Sequence, residues 1–568
     1  MSDVRFDLSG IVKAYDVRGR AGSDITPEIA RALGAAFADF LDAGAAVVAH
    51  DMRVSSPELS AAFVEGAVRR GSTVAVAGLS STDQLYCASG LHRAAGAMFT
   101  ASHNPAPDNG IKMCLPGARP ISRDTGLAQI REGAEAYLAA GEIPVRAGGR
   151  AEAVDTLKDY VTTLLGLVTV PARRRLRVVV DAGNAMAGLT MPAVAEHLEN
   201  IEIIPLYFEL DGTFPNHPAN PLDLTTLEDL QAAVVREGAD LGLAFDGDAD
   251  RCVAVDETGA VVPPSAVTAL IAQREIARAQ AAGEEQPAVV ANLVSSRHVA
   301  EAITAADGRH VRSRVGHSLI KALMAENSAV FGGEHSAHYY FRDFFFADSG
   351  MLAALHLLAA FAETDGSLSA LVAEHDPYFA SGEINSRVAD AAASTAQVRS
   401  WAENYGDVTC DELDGLTVTH WSQDLPAEDR WWFSLRSSNT EPLLRLNVEA
   451  EQEATMQRVR DEVLGIVRAE GETPSETPSE TPSESPSDVP FAAEPAAGAP
   501  VVGASSPSTP ADITGSGADV PAWVGQMLCS PAGGRLEAVE GGLRCDKTGR
   551  LYRVVDGIPM LIDGEEQA

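Results

Sequence analysis

Leu241-Gly242-Leu243-Ala244-Phe245-Asp246-Gly247-Asp248-Ala249-Asp250-Arg251-Cys252-Val253-Ala254-Val255-Asp256 is the stretch from which the rest of the chain can be read. Leu241 to Phe245 has the apolar run of a buried strand, and Cys252 to Asp256 reads as a second one. Between them three carboxylates alternate on one tight loop. Like charges so placed repel strongly, and a hard divalent cation relieves the repulsion; oxygen ligands suit Mg²⁺. The spacing is similar to the start of an EF-hand loop, but the sixth position is Arg251, where that loop needs Gly. The bland alternative is a solvated turn.

On either side, short apolar runs alternate with amphipathic ones. Strands are expected at Ala46 to Ala49, Thr73 to Ala77, Ala95 to Phe99, Arg177 to Asp181, Glu202 to Leu206 and Val289 to Leu293. Helical periodicity covers Glu28 to Leu41, Glu58 to Arg70, Leu224 to Glu237 and Ala266 to Ala281. Such alternation builds parallel or mixed sheets with helices on both faces. The pattern restarts near residues 155, 260 and 375, and the last block instead flanks the strands Trp431 to Arg436 and Leu443 to Glu449 with helices. The expected architecture is three similar α/β domains (1–157, 158–262, 263–375) and a fourth, α+β domain (376–469), around a central cleft. Residues 470–522, built on ETPS-like repeats, lack the apolar content to fold and are expected to be a disordered linker. A small β-rich tail is expected at 523–568.

Composition narrows the function. The 568 residues carry a formal net charge of −37, with 43 basic residues of which only five are Lys. So acidic a chain is a poor ligand for nucleic acid or an anionic membrane. Its most apolar stretch, Gly350 to Phe361, is too short to span a bilayer. There is no apolar leader, and the six Cys are scattered, which suggests a cytoplasmic protein without a disulfide framework.

Three further motifs carry chemistry. Thr100-Ala101-Ser102-His103-Asn104-Pro105 follows a strand, so Ser102 sits where α/β sheets place ligands. It can serve as a nucleophile or phosphate carrier, or the segment is a plain turn. In Gly332-Gly333-Glu334-His335-Ser336-Ala337-His338, the residues Glu334, Ser336 and His338 alternate; on an extended strand they would offer one polar face to a polyol. Arg436-Ser437-Ser438-Asn439-Thr440-Glu441-Pro442, with Arg445 beyond, can wrap a phosphate through hydroxyls, backbone N–H groups and two guanidinium forks. Tyr15-Asp16-Val17-Arg18-Gly19 reads as an N-terminal loop. Lys112 follows Ser102 by ten residues, and Val315-Gly316-His317-Ser318 reads as a turn entering a helix.

Together and in this order, TASHNP, DGDADR, GEHSAH and RSSNTEP resemble the α-D-phosphohexomutase superfamily, in its bacterial phosphomannomutase/phosphoglucomutase branch, over roughly residues 8 to 468. The resemblance implies an intramolecular phosphotransferase acting through a hexose 1,6-bisphosphate, which also primes the enzyme. Ser102 would be the phosphoserine, and Asp246, Asp248 and Asp250 would hold Mg²⁺ together with a phosphate oxygen on Ser102. Arg251 would flank the phosphoryl group in flight, and Glu334 and Ser336 would bind sugar hydroxyls. Arg436, Ser438, Asn439, Thr440 and Arg445 would hold the distal phosphate. Tyr15, Arg18, His103, Lys112, Gly316, His317 and His338 would complete the site, with Lys112, His317 or His338 accepting the sugar proton. Where relatives carry a Lys after the third-domain strand, this chain has Val294. Asn439 and the GEHSAH form point to mannose phosphate; glucose phosphate or both are the alternatives, glucosamine phosphate a further one.

The tail resembles a zinc-ribbon family found among methyltransferase activators, through Leu528-Cys529, Leu543-Arg544-Cys545 and Asp556-Gly557-Ile558-Pro559. Each knuckle keeps one Cys, which is too few for a closed zinc site. A metal-free tail that docks on a partner is expected, and a scaffold whose tail recruits a protein is the reading from another functional class. The linker holds −9 and the tail −2, so the body carries −26. A sugar phosphate can bind such a body only where its scarce cations converge.

Overall fold

The computed structural model describes residues 6–437 and 443–469, together with the backbone of five short strands between 536 and 559. The chain divides into two compact units, Met1–Glu476 and Thr477–Ala568.

Within the first unit lie four sheets. The first runs in the order Val17–Arg20, Asp108–Leu115, Ala95–Phe99, Ala46–His50, Thr73–Leu79, Arg150–Ala153, with Arg119–Pro120 on the side. The second is Val261–Val262, Cys252–Asp256, Leu241–Phe245, Leu176–Asp181, Ile201–Leu206. The third is Arg309–Ser313, Ala288–Asn292, Phe331–Gly333, Tyr339–Phe341, Ala347–Asp348. The fourth is wholly antiparallel and carries the helices Ala391–Glu403 and Glu453–Val467.

The first three sheets share one device. Parallel strands end in one that turns back into an antiparallel neighbour: Ala95–Phe99 into Asp108–Leu115, Leu241–Phe245 into Cys252–Asp256, Phe331–Gly333 into Tyr339–Phe341. The three turns hold Ser102, the aspartates and Glu334. Equivalent turns at carboxyl ends of strands are where such sheets bind ligands.

Burial explains how the domains join. One apolar core runs from Tyr86, Cys87 and Cys114 through the second domain into the helix Gly350–Ala362, which is buried on every side. A helix apolar all round belongs inside a protein. At its start Gly350 lies on the aspartate loop, where a Cβ would stand 2.6 Å from the Arg251 carbonyl. The fourth domain keeps a separate core around Trp431, Phe433 and Val459. No helix among the described residues is long and apolar enough to cross a membrane.

Two local expectations need correction. Arg18 lies on the strand Val17–Arg20, paired with Gly110, and not in a loop, because the edge of Asp108–Leu115 is open to it. Glu334 to His338 is a tight turn and not an extended strand. Glu334 N–H donates to the His338 carbonyl at 3.0 Å, and Ala337 takes a φ of 59° to close it. The 470–522 linker lies outside the described residues. In the tail, Leu536–Val539, Gly542–Cys545 and Leu551–Tyr552 form an antiparallel sheet, and Val554–Val555 pairs with Ile558–Pro559. Cys529 lies outside the described residues.

Candidate active site

Ser102 is 2% exposed and takes a φ of 50°, a left-handed conformation that costs a residue with a Cβ about 1 kcal/mol or more. That turn carries its Oγ to the neighbouring domain. Oγ lies 2.8 Å from Asp246 Oδ2, 3.1 Å from an Arg251 guanidinium nitrogen and 3.2 Å from His103 Nδ1. Arg251 Nε is 3.0 Å from Asp246 Oδ2, and the terminal nitrogen that faces Ser102 also touches His103. Burial, with Arg251 and Arg18 nearby, pushes His103 down to about 3, so this imidazole is neutral.

The three aspartates are buried, and one oxygen of each lies within 4.8 Å of the others. Lys112, on the strand that returns from the Ser102 loop, places its Nζ 2.6 Å from Asp248 and 2.5 Å from Asp250. Burial opposes its charge, but the two carboxylates outweigh burial and hold the ammonium above its usual range. Burial and the neighbouring carboxylates push Asp246 up, while Lys112 keeps Asp250 low against burial. Asp248 Oδ1 and Asp250 Oδ1 are buried without a hydrogen-bond partner among the described residues. Orphaned carboxylate oxygens at this spacing fit a hard divalent cation.

The third domain closes the site from the other side. Glu334 is held by the Tyr340 hydroxyl at 2.6 Å and by Asn292 Nδ2 at 3.2 Å, with Gly316 N–H at 3.4 Å; burial raises its pKa. Ser336 Oγ and His338 Nδ1 are 3.2 Å apart. His338 Nε2 lies 3.7 Å from Asp250 and 4.0 Å from Asp348. The chain pairs His338 with Arg251 across an isolated bridge, so the second and third of these turns touch directly. Gly316 precedes the helix His317–Asn327, as expected; the His317 side chain is outside what the structure describes. Arg18 bonds Asp16 at 2.7 Å, yet its second guanidinium arm is buried with no hydrogen-bond partner among the described residues. Tyr15 is half-buried beside it in sequence.

In the fourth domain Arg436 and Arg445 stand directly opposite one another on paired strands. Like charges so placed repel. Glu383 bridges them, at 3.4 Å and 2.9 Å, and Asp414 lies 3.6 Å from Arg436. Ser438, Asn439 and Thr440 lie outside the described residues.

The sequence did not reveal the supporting groups. Thr82 Oγ1 donates to Asp248 at 2.5 Å, and Lys321 forms a buried ion pair with Asp348 at 2.6 Å. Arg53 reaches the Ser102 loop. Their neighbours are far away in sequence, so no spacing rule exposes them.

All four domain descriptions of one family match in register with this geometry: phosphoglucomutase/phosphomannomutase, alpha/beta/alpha domain I at residues 9–139, domain II at 158–259, domain III at 263–378, and the C-terminal domain at 383–466. The chain belongs to the phosphoglucomutase/phosphomannomutase family. As a family member it is a phosphohexomutase, an intramolecular phosphotransferase of the isomerase class. It is 40% identical over 465 residues to a protein of Xanthomonas campestris named "Phosphohexose mutases", which covers 80% of this chain and 98% of that relative. It is 37% identical over 464 residues to a Salmonella typhimurium phosphomannomutase, covering 80% and 97%. A crystal structure of a family protein from Burkholderia thailandensis superposes with a TM-score of 0.70 at 29% identity, covering 82% of this chain and 98% of that one.

Proposed function

We propose that the enzyme interconverts mannose 6-phosphate and mannose 1-phosphate, with Ser102 as the phosphoryl carrier and a hexose 1,6-bisphosphate as intermediate and primer. The observation that carries this is the buried convergence of Ser102 Oγ, Asp246 and Arg251. Phosphoryl transfer asks for positioning and charge neutralisation more than covalent work. Asp246, Asp248 and Asp250 would hold Mg²⁺, which when bound neutralises phosphate oxygens.

In the forward step the bond between phosphorus and Ser102 Oγ breaks, and one forms between phosphorus and the sugar oxygen. The sugar hydroxyl releases its proton to a base. Lys112 is already an ammonium between two carboxylates, which favours His338 for this role. Arg251 offers its guanidinium to the Ser102 oxygen throughout. The bisphosphate then turns end for end, and its other phosphate returns to Ser102. Arg436 and Arg445, with Ser438, Asn439 and Thr440, would grip whichever phosphate is idle, and Arg18 with Tyr15 would line the entrance. Glu334 and Ser336 would bind ring hydroxyls, beside Gly316 and His317.

Glucose phosphates are the second reading, because Val294 offers no polar contact at a position where a charged one would discriminate sugars. Initial rates on mannose, glucose and glucosamine 1-phosphates, with Mg²⁺ and glucose 1,6-bisphosphate, decide. The proposal expects mannose 1-phosphate to have the highest kcat/KM; glucosamine 1-phosphate leading would overturn it. We place the domain limits at 157, 262, 375 and 469, which sheet membership supports. The four cysteines whose side chains are described are free thiols, which suits a reducing cytoplasm. The degenerate zinc-ribbon tail would serve a protein partner.

A further inference from the structure

Arg53 is fully buried, and its guanidinium spends all four terminal N–H groups on one loop. One terminal nitrogen donates to the carbonyls of Pro105 at 2.8 Å and Asp108 at 3.0 Å. The other donates to those of Ser102 and Asn104, both at 2.7 Å. Its Nε faces Asp51 at 3.2 Å, and Asp51 is itself held by Ser56 Oγ at 2.6 Å. The second domain covers the guanidinium: the Phe214 ring centroid is 5.2 Å away, and Gly212 packs so closely that a Cβ would stand 2.6 Å from Arg53 Cα. Gly247 lies against the same Ser102 carbonyl, where a Cβ would come within 2.3 Å.

We propose that Arg53 is a positioning residue for the reaction: it gathers the carbonyls of residues 102 to 108 and so holds Ser102 in its left-handed conformation, with Oγ on the Asp246–Arg251 side. The inference rests on Ser102 carrying the phosphoryl group. Four carbonyl dipoles pointing inward repel one another, and a positively charged group with four N–H donors holds them together. A planar fork meets four acceptors in fixed directions, whereas a lysine has three donors and no plane. Without the fork the loop relaxes from its left-handed turn, and Oγ leaves the line of transfer. Misplacement by an ångström costs about 100-fold in rate. Arg53 contacts none of the residues assigned to the sugar or the distal phosphate, so substrate affinity is left alone.

The test is a single-turnover measurement on the full chain. Enzyme carrying a ³²P-labelled phosphoryl group is mixed with excess mannose 1-phosphate, and transfer of the label to sugar phosphate is followed after rapid quenching. This rate constant is independent of the fraction of protein that is folded. Arg53→Lys is expected to slow it about 100-fold, with steady-state KM changed less than about threefold. Should Arg53→Lys fail to fold, Phe214→Ala, which only uncovers one face of the guanidinium, decides; roughly a three- to tenfold slowing at constant KM is expected. A wild-type rate constant in the folded variant overturns the proposal, as does a rise in KM at unchanged kcat. Ser102→Ala separates the two ideas: a phosphoryl group found on another residue refutes the carrier assignment, whereas loss of phosphorylation there with a wild-type Arg53→Lys refutes this proposal alone.

Discussion

The proposed transfer centre and the proposed distal clamp are both built from arginines and carboxylates, yet they differ in construction. Ser102, Asp246 and Arg251 are buried at the junction of the first and second domains, where Tyr86, Cys87 and Cys114 of the first join the apolar core that the second and third share. Arg445 is 35% exposed in side chain and Arg436 11%, on a domain with a core of its own. That domain meets the third through polar contacts: Glu449 accepts from the Arg297 N–H at 2.9 Å, and Arg312 pairs with Asp411 at 2.5 Å. A transition state is served by fixed, dry groups that need no reorganisation. A clamp that must release one phosphate and take another is served by groups with cheap alternatives, and Glu383 gives both arginines such an alternative. The difference separates a residue's effect on kcat from its effect on KM.

The sharpest way to break the contrast is Ser102→Ala, expected to lower kcat by about 10⁴-fold or more in steady-state assays; retention of more than a few per cent of activity would contradict it. Asp250→Asn comes next. It removes an orphaned metal-facing oxygen and unbalances Lys112, and a kcat loss on the order of 10³-fold is expected with Mg²⁺ present. Raising Mg²⁺ should recover part of that loss. Arg436→Gln acts on the other region. Losing one charge-assisted contact to phosphate should raise KM roughly 10- to 100-fold, and a kcat loss larger than the KM change would erase the distinction drawn here.

How far the site was legible follows the same divide. The strand Leu241–Phe245 and its partner Cys252–Asp256 fall where apolar runs and the intervening aspartates put them. Chemistry-bearing residues cluster locally in sequence because a turn must present them together. What holds them does not. Thr82 reaches Asp248 across a domain boundary, Arg53 and the Lys321–Asp348 pair join residues tens of positions apart, and a buried Lys or Arg looks in sequence like a surface one. From sequence the turn at Glu334 to His338 reads as a strand, since alternation of polar residues is shared by both and Ala337 gives no hint of its positive φ. Glu383 escaped notice because a bridging carboxylate is defined only by the two arginines it joins.

The smallest expected effect concerns stability. Asp83 is buried where three domains meet and accepts from the hydroxyls of Tyr160 at 2.7 Å and Ser349 at 2.6 Å. Burial pushes it up to about 7. The folded state therefore holds a proton that the unfolded state releases near pH 4, so this contribution is complete below about pH 4 and is lost as pH rises through about 7. Urea unfolding at pH 5 and pH 8 should show that Asp83→Asn is less sensitive to this rise than the wild type. An unchanged difference would mean that the carboxyl is ionised throughout.

The most direct measurement is the site of the phosphoryl group. The full chain is incubated with glucose 1,6-bisphosphate and Mg²⁺, freed of ligand, and examined by intact mass and peptide mapping. One phosphoryl group on Ser102, exchanged with that of added mannose 1-phosphate and not lost, is the result the account predicts. Turnover with Ser102 unmodified, or with the phosphoryl group on any other residue, would contradict it.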